Sequence, residues 1–153
     1  MLQRNWHYIG VPQFGSFVIV RNPWWKQDLV PEGPWDHEPD YFEWRDEATG
    51  YPCRIRRNPV GALCGYVGVD SSSQYWQLEY DDVDVTIHGG LTYSSHEEGS
   101  HEHWFLGFDC AHYGDLTPTV INVLPSRLET DTYRDLEYVR QQCIYLAWQL
   151  SDK

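Results

Sequence analysis

Four side chains in the stretch 80–115, YDDVDVTIHGGLTYSSHEEGSHEHWFLGFDCAHYGD, have the types and spacing that acid–base chemistry requires: His88, Asp109, His112 and Asp115. An imidazole oriented by a carboxylate can serve as a general base. His88 is therefore the candidate base and Asp109 the acid that orients it, with His112 and Asp115 completing a catalytic site. Gly89 and Gly90 permit close approach of a ligand to backbone, and Cys110 is the nearest thiol. Its thiolate would need an adjacent protonated histidine to react at neutral pH. Arg54, Arg56 and Arg57 are three of only eleven basic residues. Guanidinium geometry suits them to a phosphate or carboxylate, and neutralising the acidic segment before them is the competing role. A histidine at a strand end and a cysteine among aromatics also have ordinary structural uses, as surface and core residues.

Two apolar runs must position these groups. Val83, Val85 and Ile87 alternate with Asp84, Thr86 and His88, the period of a strand with one dry face. The run at 104–108, WFLGF, is short and aromatic and reads as a second strand returning antiparallel across a His-rich loop at about 94–103. Pairing Tyr93 with Trp104 would set His88 opposite Asp109. A slip of one residue would instead put His88 opposite Cys110 and Thr86 opposite His112, since every side chain then changes face. The first register gives the base and its orienting acid. The second gathers His88, Cys110 and His112, ligands that suit zinc. A bulge at Gly89 and Gly90 would alter either register. No spacing matches an established zinc signature, so no cofactor is expected, with zinc as the alternative.

The remaining chain supplies a scaffold. FGSFVIV at 14–20 predicts a strand. The segment at about 22–47 carries Pro31, Pro34 and Pro39 among tryptophans and carboxylates, and reads as an aromatic acidic loop. Trp24, Trp25 or Trp35 would either cover a ligand or, the favoured reading, pin the loop to the core. The stretch 51–69, YPCRIRRNPVGALCGYVGV, alternates, turns at Asn58-Pro59-Val60-Gly61 and returns as an apolar run, which predicts a β-hairpin. Residues 70–77 form a polar loop, and 117–128 a connector or short edge strand. Leu136, Val139, Cys143, Leu146 and Leu150 recur at spacings of three and four, the stripe of a C-terminal amphipathic helix capped by Thr130, Asp131 or Thr132. Thr132 and Asp135 resemble a capping box. The fold class that follows is α+β: an antiparallel β-sheet of about five or six strands, built from hairpins and covered by one C-terminal helix.

At 153 residues the chain is read as a single domain, 1–153. A formal net charge of −12 argues against attraction to nucleic-acid phosphates or anionic membranes. An aromatic fraction of 16% supplies contact area for a core and for ligand-stacking walls. The cysteines, Cys53, Cys64, Cys110 and Cys143, have no paired short spacing, which fits reduced thiols. The N-terminal MLQRNWHYIG has no apolar core of a signal peptide and no run is long enough to span a bilayer. The expected location is the cytoplasm. Oligomeric state is left open by these features.

The segments GYPCRIRRNPVGALCGYVGV, DDVDVTIHGGLTY, WFLGFDCAHYGDLTP and YRDLEYVRQQC resemble a family of small bacteriophage and bacterial proteins without an assigned activity. The resemblance runs from about residue 50 onward and is most specific at HGGLTY and GFDCAH. It implies a phage accessory or counter-defence protein acting in the host cytoplasm, and implies no mechanism. Two functions are thus expected to compete. The first is binding of a small polar ligand such as a nucleotide, with or without hydrolysis, at the His/Asp site. The second is an acidic protein, without catalysis, that imitates nucleic acid and docks on a basic host protein through carboxylates of 28–47 and 81–84.

Overall fold

The computed structural model describes residues 17–151. Six strands form one antiparallel sheet in the order β1-β2-β3-β4-β6-β5. They are β1 (Phe17–Val20), β2 (Tyr41–Arg45), β3 (Pro52–Arg57), β4 (Leu63–Val69), β5 (Tyr93–Glu97) and β6 (Ser100–Asp109). A short helix α1 (Arg127–Thr130) precedes the long C-terminal helix α2 (Leu136–Leu150). This is the expected α+β architecture. Residues 14–16 of the predicted first strand lie outside the described residues.

The 51–69 hairpin forms as its alternation predicts, with Cys53 opposite Val67 and Arg57 opposite Leu63. The Asn58 carboxamide oxygen closes its turn by accepting from the amides of Val60 and Ala62. The helical stripe also holds: Val139, Cys143, Leu146 and Leu150 are buried with Phe42, Ile55, Val67, Leu106 and Phe108 in one core. Gly65 lets helix and sheet close together, because a Cβ there would lie 2.5 Å from the Phe108 ring and 2.7 Å from Cys143 Sγ. The helix begins later than expected. Asp135 is its cap, accepting from the Tyr138 amide, and Glu38 accepts from the Leu136 amide. Thr132 instead joins Gly114 and Leu116 by backbone hydrogen bonds, a short parallel bridge beside Asp115.

Four expectations are corrected. The alternation at 83–87 is real, since Val83 and Ile87 are buried while Asp84 and Thr86 are exposed, but the segment is not a strand. Part of its backbone is satisfied by helix side chains: the Gln149 carboxamide bonds both the amide and the carbonyl of Thr86, and Gln142 accepts from the His88 amide. The strand lies further on, at β5, so part of the predicted His-rich loop is a tight hairpin with β6. Its register differs as well. Tyr93 faces Gly107 rather than Trp104, and neither Asp109 nor Cys110 is paired with His88. Finally, the 22–47 segment is not all loop, because Tyr41–Arg45 forms β2, with Phe42 and Trp44 buried.

The rest of that segment is an ordered loop held by its indoles. Trp25 and Trp35 are buried with Val30, Leu116 and Ile121 in a second, smaller core, while Trp24 stays exposed. The 117–128 stretch is a connector containing a 3-10 turn, Pro118–Asn122, and forms no edge strand. Helix α2 covers only one face of the sheet. The other face presents Arg54, Arg56, Tyr66, Tyr93, Phe105 and Asp109, the alternate residues of β3 to β6.

Candidate functional site

The loop after β6 brings the four predicted polar residues into one neighbourhood, in pairings the sequence does not specify. Asp115 is the hub. Its side chain is 1% exposed and accepts from His88 Nε2 at 2.8 and 3.0 Å, from Arg134 Nε at 3.0 Å and from the His112 amide at 3.0 Å. Burial alone would raise this carboxyl, but the hydrogen bonds from His88, Arg134 and the His112 amide outweigh it and hold the group below the ordinary value. The other His88 nitrogen, Nδ1, lies 2.7 Å from the Tyr138 hydroxyl. With Nε2–H donated to the carboxylate, Nδ1 accepts from the phenol. Tyr138–His88–Asp115–Arg134 is therefore a closed chain that ties the 87–90 turn and the 109–116 loop to the start of α2.

His112 and Asp109 form the outer layer. The Asp109 carboxylate accepts from the Thr92 hydroxyl at 3.1 Å and from the Ala111 amide at 3.0 Å. His112 Nε2 is 3.2 Å from Asp109 Oδ1 but lies off the hydrogen-bond direction, so that buried nitrogen has no hydrogen-bond partner. The contact is an ion pair when the imidazole is protonated. The His112 ring sits on Gly89, where a Cβ would fall 2.2 Å from Cδ2. Gly89 also has φ of 68°, so its lack of a side chain serves both the turn and the imidazole. The imidazole rings of His88 and His112 are 6.1 Å apart.

Only the outer pair reaches a hollow. An open hollow of about 520 Å³ is lined by Asn58, Cys64, Tyr66, Thr92, Tyr93, Phe108, Asp109, Ala111 and His112. Burial and the nearby Asp109 charge push the Cys64 thiol up to about 11. A thiol of that kind stays protonated and acts as a weak donor. A neighbouring hollow of about 470 Å³ includes Arg54, Arg56, Tyr66, Tyr93, His96 and Phe105. Tyr66 and Tyr93 belong to both and meet edge to face at 5.1 Å. The Tyr66 ring packs against Gly107, where a Cβ would come within 2.5 Å of it.

The other candidates sit elsewhere. Cys110 is buried in the main core, and burial, with the charge of Asp115, raises its thiol. The zinc arrangement of His88, Cys110 and His112 is not assembled, and the described residues hold no group of three potential metal ligands. Arg57 is on the core side of β3, fully buried and bonded to Asp40, Gly61 and Tyr133. Arg54 stacks on Phe105 and pairs with Glu97 at 2.9 Å. Arg56 is exposed at the second hollow, and Gly90 is exposed in the 87–90 turn. Sequence reasoning missed Tyr138 and Arg134, the partners that fix His88 and Asp115, and the walls Tyr66, Thr92 and Tyr93. An aromatic facing a glycine in a neighbouring strand would have marked Tyr66, but only with the register known.

No protein-family model matches the chain, and neither a curated protein nor a solved structure matches it. No helix among the described residues is long and apolar enough to cross a membrane.

Proposed function

We propose that the protein binds a small polar molecule carrying a planar ring, in the hollow bounded by Tyr66, Tyr93, Asp109 and His112. The observation that carries this reading is convergence. A carboxylate, an imidazole, a hydroxyl, a carboxamide and a thiol line one concave space on a sheet face that helix α2 leaves open. Two tyrosine rings flank them. Small-ligand sites combine apolar and aromatic walls with a few fixed polar groups in this way.

Binding is favoured over turnover. The well-formed dyad, His88–Asp115, has both imidazole nitrogens occupied and does not line the hollow, while the Cys64 and Cys110 thiols are held protonated. The inner chain acts as the support that fixes the outer pair, which is what a preorganised binding site needs. For a phage-encoded protein, as the sequence resemblance implies, sequestering a small molecule in the host cytoplasm is the matching accessory or counter-defence role. The docking alternative loses much of its surface. Asp36, Glu38, Asp40, Glu43 and Asp46 are engaged with Lys26, Tyr133, Arg57, Tyr41 and Thr49, which leaves Asp28, Glu32 and Glu47 exposed in the first acidic segment and Asp81, Asp82 and Asp84 in the second.

Saturation-transfer NMR against ribonucleosides, amino acids and monosaccharides tests the reading. Ring-bearing heterocycles are expected to give signals, and Asp109→Asn is expected to weaken their binding at least tenfold, as loss of a charged hydrogen bond implies. Charge reversal at Asp81, Asp82 and Asp84 should leave them unchanged. Absence of any signal, or signals indifferent to Asp109→Asn, overturns it.

A further inference from the structure

We infer that the ligand is a heterocycle bearing an anionic group, with a nucleoside monophosphate as its representative, and that Arg56 holds the anion; this rests on the binding site proposed above. The two hollows are neighbours on this face and share Tyr66 and Tyr93 as lining. Across the sheet, Arg56 pairs with Cys64 and Cys64 with Asp109. Arg56 and Asp109 are therefore two strand spacings apart on one face, about 10 Å. That is a span over which a base at one end and a phosphate at the other can reach both.

The charges within the second hollow decide which arginine serves. Arg54 is already committed, 2.9 Å from Glu97 and 3.5 Å from Glu43, with its guanidinium 4.3 Å from the Phe105 ring centre. Its charge is shared between Glu97 and Glu43, while Glu98 is a further carboxylate on the rim of the same hollow. Arg56 forms no ion pair among the described residues, and its guanidinium lies 6.0 Å from the Tyr66 ring centre. In a chain of net charge −12, an exposed and unpaired guanidinium beside an aromatic wall is a specific anion contact. A planar guanidinium can also grip two phosphate oxygens at once. At the other end, the Asp109 carboxylate is suited to accept from an exocyclic amine, as carboxylates do from cytosine.

Isothermal titration of each of the four ribonucleosides and its 5′-monophosphate, at low and at raised salt, tests this. At least one monophosphate is expected to bind at least tenfold tighter than its nucleoside. Arg56→Ala should abolish that difference without changing nucleoside affinity, Arg56→Lys should keep part of it, and raised salt should shrink it. If nucleoside and monophosphate bind equally and Arg56→Ala has no effect, the anion contact is overturned while the binding site at Asp109 stands. If neither class binds at millimolar concentration, both readings fall.

Discussion

Replacing Asp115 by asparagine is expected to destabilise the protein by about 3 kcal/mol, the lower end of what breaking a buried charged pair costs. The lower end applies because its partner Arg134 is 28% exposed. Both Asp115 oxygens accept from donors, Oδ1 from His88 and Arg134 and Oδ2 from His88 and the His112 amide. Whichever atom of an asparagine carries the hydrogens must face a donor, so no rotamer satisfies the site. The effect depends on pH. Because the folded carboxyl sits below its ordinary value, its stabilisation is complete above the unfolded pKa of about 3.9 and fades as pH falls through the folded value. Urea unfolding at pH 7 should therefore separate wild type from Asp115→Asn widely, and the gap should narrow below about pH 4. An equal gap at pH 7 and in acid would show that the carboxylate is not the stabilising form.

The second large effect is expected at Arg57. Its guanidinium is fully buried and donates from Nε to Asp40 at 3.0 Å, and from the terminal nitrogens to the carbonyl of Gly61 at 3.0 Å, the Tyr133 hydroxyl at 2.5 Å and the carbonyl of Pro39 at 3.3 Å. Asp40 in turn accepts from the Trp25 indole and the Asn22 amide. Arg57→Met preserves much of the volume and leaves Asp40 and Glu38 buried without their cation, at a cost of about 3–5 kcal/mol. At roughly 2–4 °C per kcal/mol for a chain of this size, the melting temperature should fall by about 10 °C. Arg57→Met with Asp40→Asn should recover part of the loss, since it removes the charge of Asp40 with that of Arg57 and leaves only Glu38 without its cation. Calorimetry checks the size of the effect, and solvent exchange of the Trp25 indole N–H, which donates to Asp40, reports whether the 23–40 loop loosens with it. A loss below 1 kcal/mol would mean that the cluster does not hold the loop.

What could be read in the sequence was what depends on local period. The α2 stripe and the 51–69 hairpin need only neighbouring residues to declare themselves, and both form. The failures come from partners that are distant in the chain. The alternation at Val83, Val85 and Ile87 reports one dry face correctly, yet says nothing about who satisfies the backbone, and here glutamine side chains of α2 take the place of a strand. At Tyr41–Arg45 the same alternation was present, with Phe42 and Trp44 inward, but surrounding prolines and carboxylates disguised it. The site followed the same pattern. Residue type marked His88, Asp109, His112 and Asp115 as chemically interesting, and they do cluster. Their pairing was hidden, because His88, whose amide is held by Gln142 of α2, meets Asp115, which the bridge to Thr132 holds beside the start of that helix, and Asp109 lies three residues from His112. Arg54, Arg56 and Arg57 are neighbours in sequence with different surroundings, since strand alternation sends Arg57 into the core and the other two to the open face.

The most direct test of the central claim is a titration of isotope-labelled protein with each of the four ribonucleosides, followed by backbone amide NMR. The account predicts that at least one of them shifts the amides of Thr92, Tyr93, Asp109, Ala111 and His112 in a saturable way, with Asp109→Asn moving the midpoint to at least tenfold higher concentration. Four titrations that leave those amides unmoved, or shifts confined to Asp81, Asp82 and Asp84, would contradict it.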